Sequence, residues 1–120
     1  MVIPHDVPTA QQLIESVREW LERDVMTQTS GRLQFHARVA VNVLAMVERE
    51  LELGPEQAAA HAERLATLGF DSDSALAAGI RDGAIGADAE SAAQVRDAVW
   101  ASVRDKLKVA HPSYLDADPA

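Results

Sequence analysis

The chain has 120 residues, a net charge of −8 and no cysteine, and its residues are 48% hydrophobic but only 4% aromatic. That length fits one compact domain, and the missing cysteines exclude a disulfide framework and a thiolate metal site. The scattered Lys and Arg form no basic stripe, which argues against a nucleic-acid binder, since phosphates demand aligned cations.

The first residues, MVIPHDVPT, carry neither the positive nor the apolar region of a signal peptide. No apolar run approaches the roughly 18 residues of a membrane span. The expectation is a soluble, cytoplasmic protein with no membrane association, flexible over residues 1–7. The first helix is predicted from about Pro8 to Met26. Thr9 and Gln12 have the spacing of a capping box. Leu13, Val17, Leu21 and Val25 recur every four residues, flanked by Ile14 and Trp20, which is an amphipathic stripe. The turn Thr27 to Gly31 breaks the pattern, and Ser30 can cap the next helix.

The second helix, about 31–53, has the most distinctive composition in the chain. From Gly31 to Val47 it holds no acidic residue, and it then turns acidic at Glu48, Glu50 and Glu52. At about 100° per residue, Leu33, Ala37, Ala40, Leu44, Val47 and Leu51 form one broad apolar face. Phe35, Val39, Val43 and Met46 form a second beside it. Only a strip with Gln34, Arg38, Arg49 and Glu52 suits solvent, so the pattern predicts a central helix. Gly54-Pro55 is predicted to end it, with glycine as cap and proline opening the next helix.

That third helix is expected over Pro55 to Leu68, with Ala58, Ala62, Leu65 and Leu68 inward and Gly69 as its stop. Phe70 is expected to be buried, and Asp71 or Asp73 to cap a short helix from Ser72 to Asp82 that ends at Gly83. The last helix is predicted from about Asp88 to Ala110, with Ala92, Val95, Val99, Val103 and Leu107 on one face and Trp100 near its edge. Lys106 and Lys108 suit the negative end of its dipole, and His111-Pro112 breaks it. Tyr114 and Leu115 are expected to fold back, and 116–120 to fray. The predicted fold is all-α: a single helical domain over 1–120, a bundle of four main helices plus one short one, with the second helix central.

Candidate chemistry concentrates on the second helix. His36 neighbours Val39, Ala40, Val43 and Val47 on the helical wheel, and Arg32 lies one turn earlier on the same side. The pair fits a poised acid/base or an anion site. It fits equally a core histidine bonded to a carboxylate from Glu15, Glu19, Asp97 or Asp105. Arg38 and Asn42 form an i,i+4 pair suited to polar recognition or to a plain helix-surface hydrogen bond. Metal and cofactor sites are not expected. His5, His36, His61 and His111 are scattered without an HExxH or a di-iron spacing. Asp71-Ser72-Asp73 opens like a calcium loop, but Ala75 and Leu76 stand where a ligand and the glycine are required. Gly79, Gly83 and Gly86 read as helix termination and turn, with no GK[ST] after them. The acidic run Glu48 to Glu56 reads as a solvated helix end.

The run GRLQFHARVAVNVLAMVERELELGPE (Gly31 to Glu56) resembles the signature of a bacterial family of small all-helical domains of unknown function. Its centre is Phe35-His36-Ala37-Arg38. The leading helix, Ala77 to Gly83 and Lys106 to Leu115 are similar to that family as well. Its members are found beside aminoglycoside-phosphotransferase-like kinases and acyl-CoA dehydrogenases. The resemblance implies an accessory role with such a partner and brings no catalytic residue. Three functions stand as expectations: a non-catalytic accessory or protein-interaction domain, to which Trp20 and Trp100 offer contact residues; a small bundle binding an anionic ligand through Arg32, His36, Arg38 and Asn42; and an enzyme with His36 as general base. A homodimer is a further expectation, because a small bundle with so much apolar helix surface hides part of it by self-association.

Overall fold

A computed structural model describes residue 4 and residues 6–116, and among these there are helices and no strand. Residues 1–3, His5 and residues 117–120, which include most of the ends expected to be flexible, lie outside the described residues. The elements are α1 (Ala10–Trp20), α2 (Gly31–Thr67), α3 (Asp73–Asp82), α4 (Ala89–Ala110) and α5 (Pro112–Asp116), with a π-helical turn at Leu21–Val25. The all-α class is therefore as the periodicity dictates. Contacts group the chain into two compact units, Met1–Gly54 and Pro55–Ala120.

In the first unit, the capping box forms as the sequence predicts. The Thr9 N–H donates to Gln12 Oε1 at 2.8 Å, and the Gln12 N–H donates to Thr9 Oγ1 at 3.2 Å. The expected run to Met26 is covered, but its last turn widens: the Met26 N–H bonds to the Leu21 carbonyl at 2.9 Å, a π-type spacing. The hydroxyls of Thr27 and Thr29 then take the Arg23 and Val25 carbonyls at 2.6 Å each, satisfying acceptors that a helix end leaves orphaned. Gly31 opens α2 at φ +63, a left-handed conformation that costs a glycine nothing and strains any other residue. Arg18 ties α1 to α2. Its guanidinium bonds both oxygens of Glu48, one of them at 3.2 Å, and also Glu22 at 2.8 Å. Glu48 first, then Glu22, push the Arg18 pKa further up by hydrogen bonding to its charged form.

The predicted break at Gly54-Pro55 does not occur. α2 runs through both residues as one helix of 37, and the third helix expected over Pro55 to Leu68 is its C-terminal part. An interior proline removes one backbone bond and crowds the carbonyl four residues back, at about 3 kcal/mol. The flanking Glu48 to Leu53 and Glu56 to Leu65 are rich in Leu, Glu, Ala and Arg, which favour helix strongly enough to carry it through.

In the second unit, α3 begins at Ser72 rather than at either predicted aspartate. The Ser72 backbone is extended and its hydroxyl accepts the Ala75 N–H at 3.0 Å. Asp73 is the first helical residue, where its charge suits the helix dipole. Gly83 caps the other end in the left-handed conformation, as expected. Gly79 is not a terminator. It lies buried within α3, where an added Cβ would meet the Phe70 ring at 2.7 Å. Asp88 caps α4 through the Ser91 N–H, so the predicted bounds of this helix stand. Tyr114 and Leu115 lie in α5, the short helix that His111 starts by accepting the Tyr114 N–H on both its carbonyl and its ring nitrogen.

Burial is thinner than the periodicity leads one to expect. Among the described residues the buried apolar side chains are Ala37, Leu65 and Leu76. Of α2's two apolar faces, the first is buried or half-buried only over its middle, at Ala37, Ala40, Leu44 and Val47, with Leu33 and Leu51 at its ends exposed, while the one bearing Phe35, Val39, Val43 and Met46 is exposed throughout.

Candidate functional site

Arg32 and His36 are exposed, Arg38 is exposed on the next turn, and Asn42 is exposed one turn beyond that. Arg32 Nε donates to His36 Nε2 at 3.3 Å. The Phe35 ring meets the His36 ring edge-on, with centroids 5.6 Å apart. The structure thus unites the first two predicted residues. It does not turn His36 in among the valines, and it does not bring Arg38 or Asn42 to the pair. The helix wheel explains the separation. Arg32 and His36 flank one side of the Phe35–Val39–Val43–Met46 stripe, and Arg38 and Asn42 flank the other.

These four stripe residues are between 38% and 59% exposed. On α1, Leu13, Val17 and Trp20 recur at i, i+4 and i+7 and are between 49% and 55% exposed. Scattered exposed apolar residues are ordinary, whereas a continuous stripe marks a contact surface. An apolar centre rimmed by Arg, His and Asn is also how protein–protein interfaces are built.

The periodicity of the sequence gives no hint of a polar constellation in the second unit. His61 of α2 bonds Asp73 of α3 at 2.9 Å through Nε2 and Ser102 of α4 at 3.2 Å through Nδ1. Beside it, Arg64 bonds the Asp105 carboxylate and Gln57 bonds the Asp105 carbonyl, both at 3.0 Å. Nothing local announces this cluster, because the partners of His61 lie 12 and 41 residues away. Asp, His and Ser in a row invite comparison with a nucleophile relay. The surroundings do not support one. Ser102 also donates to the Ala98 carbonyl at 3.1 Å, and it sits mid-helix, where its own N–H and the next are committed to α4 and cannot receive an oxyanion. The cluster is a clip joining α2, α3 and α4.

An open cleft of about 360 Å³ lies where the α3–α4 turn meets α4. Ile80, Ile85, Ala92, Val95 and Val99 line it, and Arg96 is the charged side chain at its edge. Among the described residues no group of three His, Cys, Asp or Glu side chains could hold a metal ion, and no helix is long and apolar enough to cross a membrane.

The model of one protein family, described as "Domain of unknown function (DUF6285)", matches residues 27–114. No match was found among curated proteins or among solved structures. The matched segment takes in the Gly31 entry to α2, the exposed stripe and the His61 clip. It leaves α1 outside.

Proposed function

The chain belongs to the family of domains of unknown function DUF6285, and from that premise we propose that it is an accessory protein-interaction domain without chemistry of its own. The observation that supports this reading is the half-exposure of large apolar side chains at helical spacing on both α1 and α2. The resemblance of the α2 signature points to a phosphotransferase-like kinase or an acyl-CoA dehydrogenase as partner. The α1 stripe is where such a partner docks, with Trp20 as anchor, since an exposed Trp on a rigid helix gives the largest contact area for the least ordering. Co-purification with each partner class is the test. Trp20→Ala is expected to weaken the complex by at least about 30-fold, the range of an interface anchor, while leaving the helical content unchanged. No complex at micromolar concentrations with either class removes the partner assignment.

A second reading rests on the Arg32–His36 bond. Arg32 and His36 would then hold an anionic group such as a carboxylate, a phosphate or the phosphates of a CoA moiety. NMR titration with inorganic phosphate and with CoA tests it. Shifts centred on Arg32 and His36 support the site, and unmoved resonances at millimolar ligand dismiss it.

A further inference from the structure

We propose that the exposed stripe of α2 is an interface with a second copy of this chain, paired antiparallel about a twofold axis near Val41. This rests on reading the exposed apolar stripes as docking surfaces, and it names what covers one of them.

The charge pattern of the helix carries the argument. Residues 31–47 hold Arg32 and Arg38 and no acid, whereas Glu48, Glu50, Glu52 and Glu56 outnumber Arg49 over the next turns. Arg32 and Glu50 are 18 residues apart, a whole number of turns, so they lie on one line of the helix about 27 Å from each other. The apolar stripe runs between them. A parallel pairing would set Arg32 on Arg32 and Glu50 on Glu50. An antiparallel pairing sets the basic end of each copy on the acidic end of the other.

Twofold symmetry requires that if residue i meets residue j, then j meets i. Arg32 with Glu50 and Val39 with Val43 centre on Val41, and Phe35 with Met46 centres half a residue away, within about 1 Å of the same axis. Aromatic meets thioether, β-branched meets β-branched and cation meets carboxylate, all with a single axis. Asn42 sits beside the axis, where it meets its own copy. A lone polar residue in an apolar seam fixes register in this way. The four stripe residues, each 38% to 59% exposed, offer on the order of 350 Å² of apolar area per copy. With its charged rim this lies at the small end of specific interfaces, so a dissociation constant of about a micromolar is expected.

Sedimentation equilibrium from about 1 to 100 µM is the first measurement, and a reversible dimer is the expected result. Arg32→Glu and Glu50→Arg are each expected to weaken it at least tenfold, and the two together are expected to restore it, because both contacts are then reversed in each copy. The chain has no cysteine, so introduced ones report alone. Arg32→Cys and Glu50→Cys chains should cross-link when mixed and not with themselves, while Asn42→Cys links to itself. Self-linking of Arg32→Cys, or no rescue by the double reversal, overturns the antiparallel register. A monomer at 100 µM overturns the dimer, and the peroxide oxidation rate of Met46 then separates the two readings. Fast oxidation leaves the stripe a free docking surface for another protein. Slow oxidation means that this chain covers it itself, which removes the α2 stripe as a docking surface of any kind and leaves the α1 reading to its own Trp20 test.

Discussion

The continuity of α2 through Gly54 and Pro55 can be tested by removing the two residues that oppose it. Gly54 has nothing within 4 Å of where a Cβ would stand, and its φ lies outside the left-handed region. Gly54→Ala therefore gains the helix-propensity difference of about 1 kcal/mol. Pro55 cannot donate to the Leu51 carbonyl, and its ring crowds that turn. Pro55→Ala recovers about 3 kcal/mol in the folded helix and returns up to about 1 kcal/mol by loosening the unfolded chain. The double substitution should thus stabilise by about 3 kcal/mol. For a chain of this size that raises the melting temperature by roughly 10 °C.

Thermal unfolding followed by far-ultraviolet circular dichroism reads the shift for each single variant and for the pair. Amide exchange supplies an independent check in the unaltered protein. In a continuous helix the Glu56 and Gln57 amides bond back to Glu52 and Leu53 and exchange slowly. In a helix that starts at Pro55 they are among the orphan donors of the first turn and exchange fast. The two architectures also predict opposite signs for the substitutions. Where glycine is a left-handed cap and proline the first helical residue, both replacements destabilise. A lowered melting temperature together with fast exchange at Glu56 and Gln57 would refute the continuous helix.

Three further substitutions probe the joints. Arg18→Met leaves Glu48 unpaired at 13% exposure and is expected to cost about 2 kcal/mol by denaturant titration; Arg18→Lys should recover little, because an ammonium cannot span both carboxylate oxygens. Gly79→Ala drives a methyl into Phe70 and should cost about 1–3 kcal/mol, with part of the loss restored when Phe70→Leu is added. Asp88 is held below its ordinary pKa, chiefly by the Ser91 hydroxyl and then by the Ser91 backbone N–H. Its contribution is therefore complete above the usual carboxylate range and is lost as pH falls through the lowered value. Acid should speed exchange at the Ser91 amide, and in Asp88→Asn that acid-dependent step should vanish.

How far the sequence was legible depends on the range of each interaction. Thr9 with Gln12 and Gly83 after α3 were legible, because a cap is made within three or four residues. Gly54-Pro55 misled because it carries the stop signal, while the counterweight is spread over a dozen helix-forming neighbours. Between Asp71, Ser72 and Asp73 the choice of cap depended on backbone angles that composition does not contain. The His61 clip was illegible for a simpler reason: periodicity assigns a residue to a face and says nothing of which helix will lie against it. The same limit explains Gly79, whose spacing from Gly83 resembled a turn until the Phe70 ring was in place.

The Phe35–Val39–Val43–Met46 stripe brings sequence and structure closest to conflict. Its spacing is that of a core face, yet these residues are exposed. Periodicity records which side chains must leave water and does not record what removes them. A face that is core-like in pattern and surface-like in position is thus consistent once a second surface is added. The requirement on that surface is narrow. It must be apolar over about three turns at its centre, acidic where Arg32 lies and basic where Glu50 lies. The same segment, reversed, meets every term of that description. That coincidence favours a second copy over an unrelated partner for α2, and it leaves the α1 stripe, with Trp20, as the place where the proposed accessory partner would dock.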